Sequence, residues 1–236
     1  MAGMLSSGVP SIKGRRVPWA HALILLAMTA LTPIDLPASA QISAPAVQSL
    51  VMRAAEVDRW PGPARITSKL TPVKITLENH GPKPVLLAYN RIKLVGRDGR
   101  EFRTLPLYRV QRSAAGEAEL PHAFAVRDQK FEVSGFRLAR LYGRAYPGQP
   151  LADTAIGLDP AYYALYESYY DGEPLPTTGM RRWGLPEGVL DPGGRVEGYL
   201  YFEKAPNSAE PLTLKYELVD ALSGASSGIV SVVVDD

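Results

Sequence analysis

Cysteine is missing from all 236 residues. That absence excludes a disulfide scaffold, a thiolate nucleophile, a thiolate zinc site and a lipid anchor carried on cysteine. A fold built from this chain must hold by packing alone. Histidine is scarce too, with three residues, of which only His80 and His122 follow the leader. His80 sits in an Asn79-His80-Gly81 turn and His122 follows Pro121, so neither belongs to a His-x-His or His-Glu-x-x-His pattern. A transition-metal site would need distant carboxylates to converge, and no metal is expected. A calcium ion held by scattered carboxylates would leave no local trace.

Catalytic and cofactor signatures are missing as well. No serine stands in a Gly-x-Ser-x-Gly elbow, and no phosphate-binding or dinucleotide glycine loop is present. Gly193-Gly194 precedes a strand pattern rather than opening a helix. The expectation is therefore a protein without a cofactor and without enzymatic activity. One enzymatic alternative, a carboxylate-based hydrolase, rests on Asp159, Glu167, Asp171 and Glu173 around the aromatic segment. It would need two of them about 5–10 Å apart.

Long hydrophobic runs are lacking. The apolar stretch from Ala20 to Leu31 is about a dozen residues, short of the roughly 20 that cross a bilayer. Lys13, Arg15 and Arg16 precede it, and Ala38-Ser39-Ala40 follows as a small-x-small cleavage pattern. Residues 1–40 thus read as a cleavable signal peptide, with a periplasmic or secreted destination and no transmembrane segment after cleavage. The pair Arg15-Arg16 is followed by Val17-Pro18, a poor match to the twin-arginine export pattern. The leader holds three of the 26 basic residues and one of the 24 acidic ones, leaving 23 of each. A near-neutral chain has no broad electrostatic case for binding nucleic acid or anionic lipid.

What is present reads as strands and turns. Val73, Ile75 and Leu77 alternate with Lys74, Thr76 and Glu78, the mark of a half-buried strand. Asn79 to Pro82 closes it, Val85–Leu87 and Ile92–Val95 follow, and Asp98-Gly99 turns into a returning strand at Glu101–Leu105. Near the C-terminus, Asp191 to Gly194 reads as a turn. After it Val196, Leu200 and Phe202 point inward, with Glu197, Tyr199, Tyr201 and Glu203 opposite. Leu212, Leu214, Tyr216 and Leu218 make another inward row, and Ile229–Val234 a last strand. Several short strands between Gly/Pro/Asn turns predict a mainly β chain, an antiparallel sandwich. Residues 41–70 read as an N-terminal segment or linker, with Ala46–Val57 a helix or an edge strand. The sandwich spans 71–236.

Between the two strand-rich parts, at about 136–190, lies a Tyr-rich, partly helical insertion. Phe136–Tyr142 reads as short helical or irregular structure. Asp159 caps a helix with Pro160 in its first turn, running over Ala161–Tyr170. Seven of the 12 tyrosines fall between Tyr142 and Tyr170, and such a helix is aromatic on more than one side. Tyrosine suits contact surfaces because it combines a large ring, a polar tip and little rotamer entropy. The candidate contact residues are Tyr162, Tyr163, Tyr166, Tyr169, Tyr170, Arg181, Arg182 and Trp183. The expected partner is an envelope or extracellular protein, with a glycan as the alternative. Rings that merely close one end of the sandwich are the competing explanation.

Val73–Asn79 followed by Pro84–Leu87, and Leu190–Phe202 with its Pro-Gly turn and Gly-x-x-x-Phe strand, resemble elements of exported bacterial immunoglobulin-like envelope domains. The resemblance covers residues 70–105 and 188–234 and leaves out the Tyr-rich middle. It implies an immunoglobulin-like sandwich serving extracytoplasmic binding or assembly. Relatives of that kind are often lipoproteins, and this chain lacks the cysteine for it.

Overall fold

The computed structural model describes residues 49–56, 60–61, 66–112, 118–119, 125–153, 159–166 and 176–235. The chain divides after Gln41, and the second unit, Ile42–Asp236, contains all of them. The leader, His122, Glu167, Tyr169, Tyr170, Asp171 and Glu173 lie outside the described residues.

Strand β2 (Leu70–Asn79) follows the alternation of its sequence and buries Val73, Ile75 and Leu77. It pairs antiparallel with β1 (Leu50–Glu56), so the ambiguous N-terminal stretch supplies an edge strand. On its other side β2 pairs with β9 (Gly188–Glu203). The early part of β9 takes β3 (Val85–Leu87) as neighbour, and β8 (Glu132–Leu138) runs along its far side. A second sheet has the order β11-β10-β4-β5. Its strands are β4 (Ile92–Val95), β5 (Glu101–Arg103), β10 (Thr213–Val219) and β11 (Ser226–Val233). Both sheets are antiparallel, as a sandwich requires. The pair β6 (Gln111–Arg112) and β7 (Ala118–Glu119) stands apart from them. Single bridges tie the sheets at their borders, at Thr104 with Phe202, Val85 with Asp220 and Ala55 with Asp235.

One cluster of buried side chains fills the interior, including Val196, Leu200 and Phe202 from the first sheet and Leu94, Phe102, Leu214 and Leu218 from the second. Each such side chain contributes about 1.5–3 kcal/mol when taken out of water, which replaces the absent disulfides.

Three local expectations change. First, β9 does not begin after a turn at Asp191–Gly194; it runs through that stretch as one strand of 16 residues. Gly193 and, opposite, Gly135 adopt positive φ, and the β8–β9 register shifts between Ser134 and Phe136. The Pro-Gly pair therefore makes a kink inside the strand, held on β8 by Arg137, which donates to Asp191 at 2.9 and 2.7 Å. Second, Phe136 and Leu138 belong to β8, and only Arg140–Tyr142 is helical, a single 3-10 turn. Pairing with β9, invisible in local sequence, decides this. Third, Tyr199 and Tyr201 are buried rather than solvent-facing. A second layer covers them: Trp60 donates to the Tyr201 hydroxyl at 3.2 Å, and Trp183 packs edge-on against Tyr199.

Candidate functional site

The Asp159–Pro160 signal holds. Asp159 accepts from the Ala161 and Tyr162 N–H groups at 3.0 and 3.3 Å and caps α1 (Pro160–Leu165). The helix closes at Tyr166, before the expected Tyr170, and residues 167–170 are outside the described set. A helix this short can lay three tyrosines inward, and it does: Tyr162, Tyr163 and Tyr166 are all buried. As placed, these three are core residues and not a contact surface. Tyr162 donates to the Thr104 carbonyl at 2.5 Å, and its ring lies 5.2 Å from that of Tyr166.

Three further tyrosines also reach main-chain carbonyls. Tyr89 donates to the Leu185 carbonyl, Tyr146 to that of Arg181, and Tyr216 to that of Leu86, at 2.8, 2.8 and 2.6 Å. These carbonyls lie in loops, helix ends and a short strand, where the ladder leaves groups unpaired. These three tyrosines give the core ring area and at the same time satisfy main-chain carbonyls.

Tyr163 and Tyr142 lead to a residue that the sequence reading missed. Glu187, just before β9, is 4% exposed. Its Oε1 accepts from the Tyr89 N–H at 2.7 Å, and its Oε2 accepts from the Tyr142 hydroxyl at 3.2 Å and from the Tyr163 hydroxyl. Burial pushes the carboxyl up to about 7, against the pull of these donors. Glu187 follows Pro186 in an unremarkable local sequence, so nothing nearby announced it.

The remaining candidates lie on α2 (Thr178–Trp183), which Thr177 caps by accepting from Met180 N–H at 3.1 Å. Arg181, Arg182 and Trp183 are half-buried. Arg181 lies over the Tyr108 ring, 5.6 Å from its centroid, and donates to the Pro176 carbonyl at 2.8 Å. Arg182 pairs with Asp128 at 2.7 Å. Structural duties thus hold both arginines, while parts of their side chains stay at the surface.

A cleft of about 450 Å³ opens elsewhere, at the end of the sandwich where the β2–β3 turn meets the β10–β11 hairpin. Pro82, Pro84, Val85, Leu218 and Val219 line it, with Ser226 and Ser227 from the start of β11. Asn79 shapes one wall. Its Nδ2 donates to the Lys83 and Leu190 carbonyls at 2.8 and 3.1 Å, and its Oδ1 accepts from Gly81 N–H at 3.0 Å. Asp220 shapes the other wall by accepting from the Leu222 and Ser223 N–H groups at 2.9 and 3.3 Å. The Lys83 ammonium beside it holds its carboxyl well down, at about 2.

β11 continues from this cleft as the outer strand of its sheet. Among the described residues it pairs only with β10, and the chain reaches β1 past its end, where Asp235 N–H donates to the Ala54 carbonyl at 3.1 Å. From Ser226 to Val234 it carries no charge, and Ile229 and Val233 are 57% and 54% exposed. Among the described residues, no group of three or more His, Asp or Glu could hold a metal, and no helix is long and apolar enough to cross a membrane.

Compared with known proteins, the chain matches no family model, no curated protein and no solved structure.

Proposed function

We propose that this chain is an exported, immunoglobulin-like sandwich module that binds a protein partner without chemistry, with the Tyr-rich helical stretch folded into its core. The partner supplies an extended, apolar segment that adds to the outer edge of β11 and sets a side chain into the adjoining cleft. The reading is carried by the outer edge of β11, which among the described residues pairs with no strand, with β1 approaching it towards Asp235. Sheet edges in monomers are usually guarded by charge, proline or a covering element, because open N–H and C=O groups recruit other strands. β11 has neither charge nor proline over Ser226–Val234, and it leads directly into the apolar cleft. Strand addition of this kind draws affinity from main-chain bonds and specificity from a pocket for alternate side chains. Export is supported by the basic, apolar and small-x-small succession of residues 1–40.

Photo-crosslinking from position 229 or 233 in the producing cell tests it. One partner captured at both positions, and lost when Ile229→Lys and Val233→Lys charge the edge without lowering the melting temperature, is the expected result. Capture that survives the charged edge, or that occurs from position 183 instead, overturns the β11 site.

A further inference from the structure

We infer that Glu187 is a proton-binding latch, whose protonation closes a ring of three oxygens and locks α1 onto the sandwich. The ring consists of Glu187 Oε2, the Tyr142 hydroxyl and the Tyr163 hydroxyl. The two hydroxyls lie 2.5 Å apart, and each also contacts Oε2. A hydroxyl donates once, whereas an ionised carboxylate only accepts. With Glu187 ionised, two protons must serve three oxygen–oxygen contacts, so one pair of lone pairs faces each other. With Glu187 protonated, three protons close the circuit, each oxygen donating once and accepting once.

The surroundings favour the same state. Tyr89, Tyr142, Tyr163 and, at longer range, the Asp159 carboxylate face Glu187 from the turn after β3, the 3-10 turn and α1. Asp159 raises the cost of a charge on Glu187. No lysine, arginine or histidine among the described residues forms an ion pair with it. A buried anion without a cation is costly, and the proton removes that cost.

The ring joins three elements distant in sequence. Tyr163 brings α1, Tyr142 brings the turn after β8, and Glu187 stands at the entry to β9. Its main-chain carbonyl also accepts from Ala139 N–H at 2.9 Å, which binds that turn to the same point. Loss of the proton therefore loosens α1 first, since α1 is short and Tyr163 is its member of the ring.

Amide hydrogen exchange of the intact chain at about pH 5.5 and about pH 8.5, corrected for intrinsic exchange, tests the latch. Protection of the Tyr163 and Tyr166 N–H groups falls as pH rises, by up to about thirty-fold if opening wets Glu187 fully. In Glu187→Gln, a neutral side chain that still donates and accepts, protection does not depend on pH. Equal pH dependence in wild type and Glu187→Gln overturns the proposal. If that variant does not fold, carbon-13 NMR of the wild-type Glu187 carboxyl decides. A midpoint near neutrality supports the latch, and one at the ordinary glutamate value overturns it.

Discussion

Lys83 and Asp220 meet 3.0 Å apart at the cleft, although 137 positions separate them in the chain. The pair is asymmetric. Lys83 is 69% exposed at its side chain, whereas Asp220 is sunk into the β10–β11 hairpin and accepts two main-chain N–H groups there.

That asymmetry fixes an order of effects. Asp220→Ala leaves two hairpin donors without their acceptor and costs about 1–3 kcal/mol, while Lys83→Ala costs about 0–1 kcal/mol because solvent screens its charge. The carboxyl is lowered in the fold, so its contribution is complete above the usual aspartate value of 3.8 and is lost as pH falls toward about 2. Urea melts of both variants at neutral pH, and of the wild type through acid, check the order and the sign.

Glu187 acts in the opposite direction. Its carboxyl is raised from 4.5 to about 7, so the folded state holds a proton that the unfolded chain releases. Its effect is that stability is greatest below about 4.5 and declines by about 3 kcal/mol as pH rises to about 7, then levels off. Glu187→Gln removes that slope. Denaturant midpoints between those pH values, wild type against variant, read the difference.

The tyrosines separate core from surface. Tyr162→Ala empties a buried ring site and costs about 3–5 kcal/mol, and Tyr162→Phe costs about 1–3 kcal/mol by leaving the Thr104 carbonyl without its donor. Arg182→Ala, which breaks a half-exposed pair with Asp128, costs about 1 kcal/mol or less. Thermal melts followed by circular dichroism check the ranking. Tyr162→Ala with an unchanged melting temperature would return that ring to the surface.

Gly188 is a steric requirement of β9. A Cβ there would stand 2.3 Å from the Arg137 carbonyl oxygen and 2.6 Å from the Phe136 ring. Gly188→Ala therefore pushes β8 away from β9 and costs about 1–3 kcal/mol. Gly148, whose Cβ would meet nothing within 4 Å, has a positive φ, so Gly148→Ala reports backbone strain alone, about 1–2 kcal/mol. Equilibrium unfolding of the two variants checks both figures.

Where a residue's environment follows from its neighbours in the chain, the reading was good. The alternation of Val73, Ile75 and Leu77, the row Leu212 to Leu218 and the Asp159–Pro160 helix start all express local periodicity or local hydrogen bonding. It failed where a distant element supplied the second face or the partner. Tyr199 and Tyr201 alternate with apolar residues and so read as outward, until Trp60 and Trp183 cover them. Pro192-Gly193 reads as a reversal, until β8 holds the chain straight on either side of a kink.

The sequence by itself determined the mainly β character, most strand positions, the cysteine-free dependence on packing and the Asp159 cap of α1, because each depends on residues a few positions apart. Only the tertiary structure decided which tyrosines are core, which strand lies outermost in the second sheet and which carboxyl is buried. Glu187 acquires its character from Tyr89, Tyr142 and Tyr163, as many as 98 positions away, and the loss of water around it is a property of the assembled fold alone.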